Sequence, residues 1–109
     1  MNYKKIRKLN DSFRSSIKGR DILIPFRTED HIHRGFTELV KKYKDFSGKP
    51  DDEHNFGKMV TEVGTYYWVI GYYNPERGGP SEDPSDPTKT GRVLRIIHES
   101  EFTPPLPSS

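Results

Sequence analysis

Thr65 to Asn74 reads TYYWVIGYYN, and no other stretch constrains the fold as strongly. Its aromatic and β-branched side chains suit a pleated, half-buried surface better than a helix. The segment also holds the only tryptophan. It therefore predicts the central strand of a small sheet. Only 30% of the 109 residues are hydrophobic, so whatever core forms must lean on aromatics, which bury a large area each.

The pattern on either side extends this strand into a sheet. Gly57 to Val63 alternates and leads into Val63-Gly64-Thr65-Tyr66, which fits a two-residue hairpin with glycine at the first central position. That register places Met59, Thr61, Val63, Tyr66, Trp68, Ile70 and Tyr72 on one face. Lys58, Val60, Glu62, Tyr67, Val69, Gly71 and Tyr73 fall on the other. The first face is the more apolar and should meet the helices. Asp21 to Pro25, DILIP, predicts a short edge strand, because proline cannot donate to a ladder. Arg92 to His98, RVLRIIH, predicts a further strand, with a helix over Arg92 to Phe102 as the alternative.

Two segments carry helical spacing. Tyr3, Ile6, Leu9, Phe13 and Ile17 form one stripe, with Gly19 as its stop. Thr28 caps a second helix, whose buried stripe is Ile32, Phe36, Leu39, Val40 and Tyr43. Gly35 inside it has no evident reason except close packing against a neighbour. The expected fold is α+β, with two helices packed on one face of a small, mainly antiparallel three- or four-stranded sheet. Residues 1–102 make a single domain by size, and the Pro-rich tail at 103–109 is expected to be disordered.

Composition narrows the chemistry. The chain has no cysteine, which removes disulfides, thiolate nucleophiles and cysteine-based metal sites. No apolar run approaches the ~20 residues that span a bilayer, and MNYKKIRKLN lacks the apolar core of a secretion signal. A cytoplasmic protein without membrane contact is expected, with no cofactor and no metal site. Charge is uneven: residues 1–20 carry seven basic groups against Asp11 alone, whereas residues 51–109 carry five basic and ten acidic groups. The basic cluster Lys4, Lys5, Arg7 and Lys8 reads as a solvated helix face, with nucleic-acid contact as the sharper alternative.

The candidate catalytic residues are Glu53 and His54, since a carboxylate beside an imidazole can do acid–base work near neutral pH. The plainer reading is that both hydrogen-bond the loop backbone. Residues 75–91 hold four prolines and three glycines, a long loop for so small a domain. Its Glu82, Asp83 and Asp86, with Tyr67 and Tyr73 of the polar sheet face, are the candidate binding residues. The aromatic pair suits a protein interface, and an acidic rim would call for a partner with a basic surface.

Several separated motifs stand out. Leu9-Asn10-Asp11-Ser12-Phe13-Arg14 is similar to LNDxFR, and Glu53-His54-Asn55-Phe56-Gly57 to EHDFG. Trp68 to Asn74 is similar to WKIDYYD. Ser81 to Pro87 with Thr90 and Arg92-Val93-Leu94 is similar to SxDPxDPxxTxRVL. Together they resemble the bacterial domain of unknown function 3768 family, which shows aspartate where Asn55, Gly71 and Asn74 stand here. The resemblance spans about residues 5 to 102 and implies a small accessory protein of bacteria, plasmids and phages. The leading functional expectation is a non-enzymatic protein-binding module, an inhibitor or adaptor of a larger host complex. The alternatives are a hydrolase-like or metal-assisted enzyme using Glu53 and His54, and nucleic-acid binding through the basic first helix.

Overall fold

The structure, a computed structural model, describes residues 2–101. The tail at 103–109 lies outside the described residues. In chain order the elements are α1 (Tyr3–Ser15), β1 (Ile22–Leu23), α2 (Asp30–Lys42), β2 (Phe56–Thr61), β3 (Gly64–Tyr73) and β4 (Gly91–His98). Short 3-10 turns occupy Gly19–Asp21 and Glu99–Glu101. The strands form one sheet in the order β1-β4-β3-β2. β3 is antiparallel to both its neighbours, and β1 runs parallel to β4, so the sheet is mixed but mainly antiparallel. This is the expected α+β architecture, with the aromatic strand flanked on both sides.

Alternation along β3 sets which face is dry. Tyr66, Trp68 and Ile70 are buried, and so are Met59 of β2 and Leu94 and Ile96 of β4. Both helices cover this inner face. Phe36 of α2 meets Tyr66 edge-on at 4.9 Å between ring centres, and Tyr43 and Phe46 approach Trp68 edge-on at 5.3 and 6.3 Å. Such edge-to-face pairs align the positive ring edge with the negative ring face. Residues 92–98 form a strand rather than a helix, because Leu94 and Ile96 point inward while Arg95 between them is exposed.

Several local expectations are corrected. The hairpin turns at Glu62-Val63, with Thr61 opposite Gly64 and Met59 opposite Tyr66. The Thr61 hydroxyl donates to the Gly64 carbonyl at 2.8 Å and accepts the Val63 N–H at 3.2 Å. This side-chain closure favours the earlier turn, and Gly64 follows it at φ 134°. The partner of Tyr66 moves by an even number of residues, so the two faces keep their membership, apart from Glu62 and Val63, which leave the sheet for the turn. In α2 the buried set is Phe36, Thr37 and Val40, whereas Leu39 is 44% exposed. Thr37 tolerates burial because its hydroxyl donates to the His33 carbonyl at 2.9 Å. The first helix ends at Ser15, before Gly19, and its innermost residues are Ile6, Asn10 and Arg14.

Glycine positions separate into packed and open ones. Gly57 has no room for a side chain: a Cβ there would run into the Trp68 indole nitrogen and the Tyr43 ring. Gly35, for which close packing was expected, has open space around it. Gly57→Ala is therefore expected to destabilise the fold by about 1–3 kcal/mol through overpacking. Gly35→Ala should stabilise it by up to about 1 kcal/mol through helix propensity. Urea unfolding of the two variants checks both signs.

Candidate functional site

Helix α1 turns polar side chains toward the core, and their partners define a polar centre. Asn10 and Arg14 are one turn apart on its inner face and are 0% and 4% exposed. Buried amide and guanidinium groups are tolerated only when their donors and acceptors find partners. The Asn10 amide donates to the Tyr72 hydroxyl at 2.7 Å and to the Glu53 carbonyl at 2.9 Å. Its oxygen accepts from Arg92 Nε at 2.6 Å. Tyr72 in turn donates to Glu53 Oε1 at 2.8 Å, and Arg92 Nη2 donates to the Pro84 carbonyl at 2.6 Å. One amide thus ties α1 to β3, to β4 and to the loops at 53 and 84.

Arg14 makes a second set of contacts. Its Nη1 donates to the carbonyls of Val40 and Tyr43, at 3.0 and 3.1 Å, adding to the long bond that Val40 accepts from the Tyr43 N–H at the end of α2. Its Nη2 pairs with Asp11 Oδ1 at 2.7 Å. The guanidinium carbon lies 4.9 Å from the Phe46 ring centre and 5.0 Å from that of Trp68, within cation–π range. Arg14 Nε and Trp68 Nε1 are buried with no hydrogen-bond partner among the described residues. His54 stacks on Phe46 at 3.7 Å, and its Nδ1 meets the same Asp11 oxygen at 2.8 Å. Its backbone is left-handed at φ 55°, and its N–H donates to Asp52 Oδ1 at 2.8 Å, fixing the turn.

Glu53 and His54 consequently serve different neighbours. The Glu53 carboxylate faces Tyr72, and the His54 ring faces Asp11. An aspartate-oriented imidazole can act as a base, but among the described residues no hydroxyl side chain hydrogen-bonds to His54. Beside it opens a cleft of about 510 Å³, lined by Tyr43, Phe46, Asp52, Glu53 and Lys58 among others. Among the described residues there is no group of three or more acidic or histidine side chains placed to hold a metal ion.

Electrostatics follow from these contacts. Burial pushes the Tyr72 phenol well above its ordinary value. The Asn10 amide opposes that rise, and the Glu53 carboxylate adds to it. Burial also lowers Arg92, against the pull of Tyr72 and Glu53, although a guanidinium stays protonated in proteins. Partial burial raises the Asp52 carboxyl, but hydrogen bonds from the His54 N–H, the Ser47 hydroxyl and the Ser47 N–H outweigh it and leave it below its usual value.

The candidate binding residues fall into two places. Tyr67 and Tyr73 share the outer sheet face, where the Tyr73 ring covers Gly91 of β4. Glu82 is exposed on the long loop. The carboxylates of Asp83 and Asp86 hold the loop's own turns. Asp83 Oδ1 accepts from the Ser85 hydroxyl and N–H, and Asp86 Oδ1 accepts from the Thr88 hydroxyl and N–H. These bonds lower both carboxyls. Arg92, on the inner face, holds Pro84, and Lys5 of α1 lies near enough to Asp86 to favour its charge. The 83–86 segment is thereby drawn to the helix side of the sheet, away from the two tyrosines. Asn10 and Asp11 stand at the margin of the α1 stripe, where a hydrogen bond to a neighbouring loop is the plain sequence expectation, and Asn10 makes one to Glu53; Arg14, Tyr72 and Arg92 were not singled out by the sequence reasoning. The signal for Arg14 was its place on the line Ile6, Asn10, Arg14, at steps of four beside the stripe read as apolar.

Two outcomes test this centre. Asn10→Ala strips Arg92 Nε and Tyr72 of a partner and should cost about 3 kcal/mol in chemical denaturation, at roughly 1–3 kcal/mol per stranded group. Asp52 is depressed in the folded state, so its contribution is complete above the unfolded value of about 4 and is lost as pH falls through the folded value. Asp52→Asn should therefore be less stable than the parent at neutral pH, with the gap closing below about pH 4 in unfolding curves followed against pH.

A family model described as "Protein of unknown function (DUF3768)" matches residues 27–101. That span holds Glu53-His54, the whole β2–β4 sheet and Arg92, but it begins after α1, so Leu9 to Arg14 lies outside it. No curated protein and no solved structure matches the chain. The match spans well over half of the chain, and the chain belongs to the DUF3768 family of proteins of unknown function.

Proposed function

We propose that this chain is a small, non-enzymatic protein-binding module whose contact surface is the outer face of the sheet. One observation carries the reading: both helices lie on the inner face, and the opposite face is left with large apolar side chains in water. Val60 is 76% exposed, Leu23 53% and Tyr73 40%, and Val69, Val93 and Ile97 between them are half-buried. An apolar surface of this kind on a small domain is the usual mark of an interaction site. The candidate catalytic groups support the same reading, because Glu53 and His54 are engaged in bonds that hold the 52–54 turn against α1 and β3. An inhibitor or adaptor of a larger complex, carried by a mobile element or phage, is a role suited to a one-faced module of this size.

The enzyme reading keeps one specific observation in its favour, the Asp11–His54 pair beside an open cleft. The two readings separate in a single set of variants. Capture of a protein partner by the tagged chain should be lost in Val60→Asp with the melting temperature unchanged, and should persist in His54→Asn once lower stability is allowed for. Retained capture by Val60→Asp, or turnover of a small molecule abolished by His54→Asn at unchanged stability, would overturn the proposal.

A further inference from the structure

Charge on the outer face is of one sign. The four strands contain no aspartate or glutamate at all, and their lysine and arginine residues are Lys58, Arg92 and Arg95. Arg92 points inward to Asn10. Lys58 and Arg95 point outward and are exposed. Lys58 stands opposite Tyr67, and Arg95 stands opposite Val69, so the two cations flank β3 from either side. At the usual strand spacing, and offset by two residues along β3, they are about 12 Å apart. Val60, Val69, Val93, Ile97 and Leu23 surround them. The nearest acids along the chain, Glu62 and Glu99, stand in turns beyond the strand ends. The loop carboxylates Asp83 and Asp86 are drawn to the helix side and do not answer these cations.

We infer that this face docks an acidic protein segment, one that presents apolar side chains together with carboxylates for Lys58 and Arg95. The inference rests on the binding-module reading and adds the chemistry of the partner. It reverses the basic partner expected from the sequence, because Asp83 and Asp86, two of the acids that suggested it, are drawn to the helix side of the sheet. Charge also decides against the other occupants. Two copies packed face to face would bring four cations into one interface with no strand carboxylate to meet them, and like charges so placed are costly. A nucleic acid would gain only about two phosphate contacts, and it would leave Val60, Val69, Val93 and Ile97 without apolar partners. An apolar, carboxylate-bearing segment satisfies both parts of the surface.

The test uses the full chain and three defined probes: a random glutamate–tyrosine copolymer, a lysine–tyrosine copolymer and an oligo-dT strand. Amide shifts in the free and probe-bound protein report the site. The glutamate copolymer should shift the outward residues of β2, β3 and β4. Its affinity should fall about tenfold on raising the salt well above physiological strength, and about tenfold or more in the double variant Lys58→Glu, Arg95→Glu at unchanged melting temperature. Preference for oligo-dT or for the lysine copolymer at this face overturns the inference. So does undiminished binding by the double variant, or no binding of the glutamate copolymer. A dimer by sedimentation that Val60→Asp dissolves gives the face to a second copy, and Overhauser contacts from residues 102–109 to Val60 give it to the chain's own end; either overturns it. Failure of the underlying reading looks different. There, partner capture does not depend on Val60 at all. If capture depends on Val60 but survives charge reversal at Lys58 and Arg95, the acidic partner alone is refuted.

Discussion

A guanidinium buried beneath an indole must find acceptors, and Arg14 finds them where α2 runs out. There the Val40 carbonyl has only a long bond from the Tyr43 N–H, and Arg14 donates both to it and to the Tyr43 carbonyl. The same side chain lies against Trp68 at the middle of the sheet and shares Asp11 with His54 of the 52–54 turn. Four parts of the chain, far apart in sequence, therefore meet on one cation. Leaving those buried carbonyls without donors would cost several kcal/mol, a large share of the stability of a domain this small. Asn10, one turn earlier, does the corresponding work for β3, β4 and the loop at 84. The small apolar core is thus held in register by a polar layer between α1 and the rest.

This layer explains both what the sequence disclosed and what it hid. The aromatic strand was legible because alternation and β-branched content act locally, and Trp68 is buried where alternation puts it. The element order was legible for the same reason. The hairpin turn was not, because a threonine hydroxyl competed with glycine for the turn and won. Leu39 and Thr37 exchanged places because one hydroxyl could satisfy itself on its own helix. Arg14 was concealed most completely. Its residue type counts toward a basic surface, and only the positions of Val40, Tyr43 and Asp11 in space reveal that it is interior.

The candidate site divided along the same lines. Glu53 and His54 were visible as chemistry-bearing types, but adjacent residues on an extended or left-handed backbone face apart, and each found a different neighbour. The acidic loop was visible as charge, but which side of the sheet it would lie on depended on Arg92 reaching Pro84. Sidedness of this kind is a long-range property and leaves no local trace. It matters because it separates the negative loop from the positive sheet face, so that the molecule presents different chemistry in two directions.

The position of β3 within the sheet has a consequence for the life of the unfolded chain. A run such as TYYWVIGYY combines high β-propensity with no charge, the composition that seeds cross-β assembly when exposed. In the folded molecule it is paired on both sides. The outer border of the sheet beside it is β2, where the Tyr43 hydroxyl takes up the Lys58 N–H at 3.2 Å and blunts the row of free donors. On the opposite side lie β4 and the two residues of β1, which cover Leu94 and Arg95. β3 itself lies on neither border, so the segment most prone to fibril formation is released only when the domain opens. For this protein, resistance to aggregation and resistance to unfolding are the same quantity, and the polar layer that fixes α1 protects the cell from both failures at once.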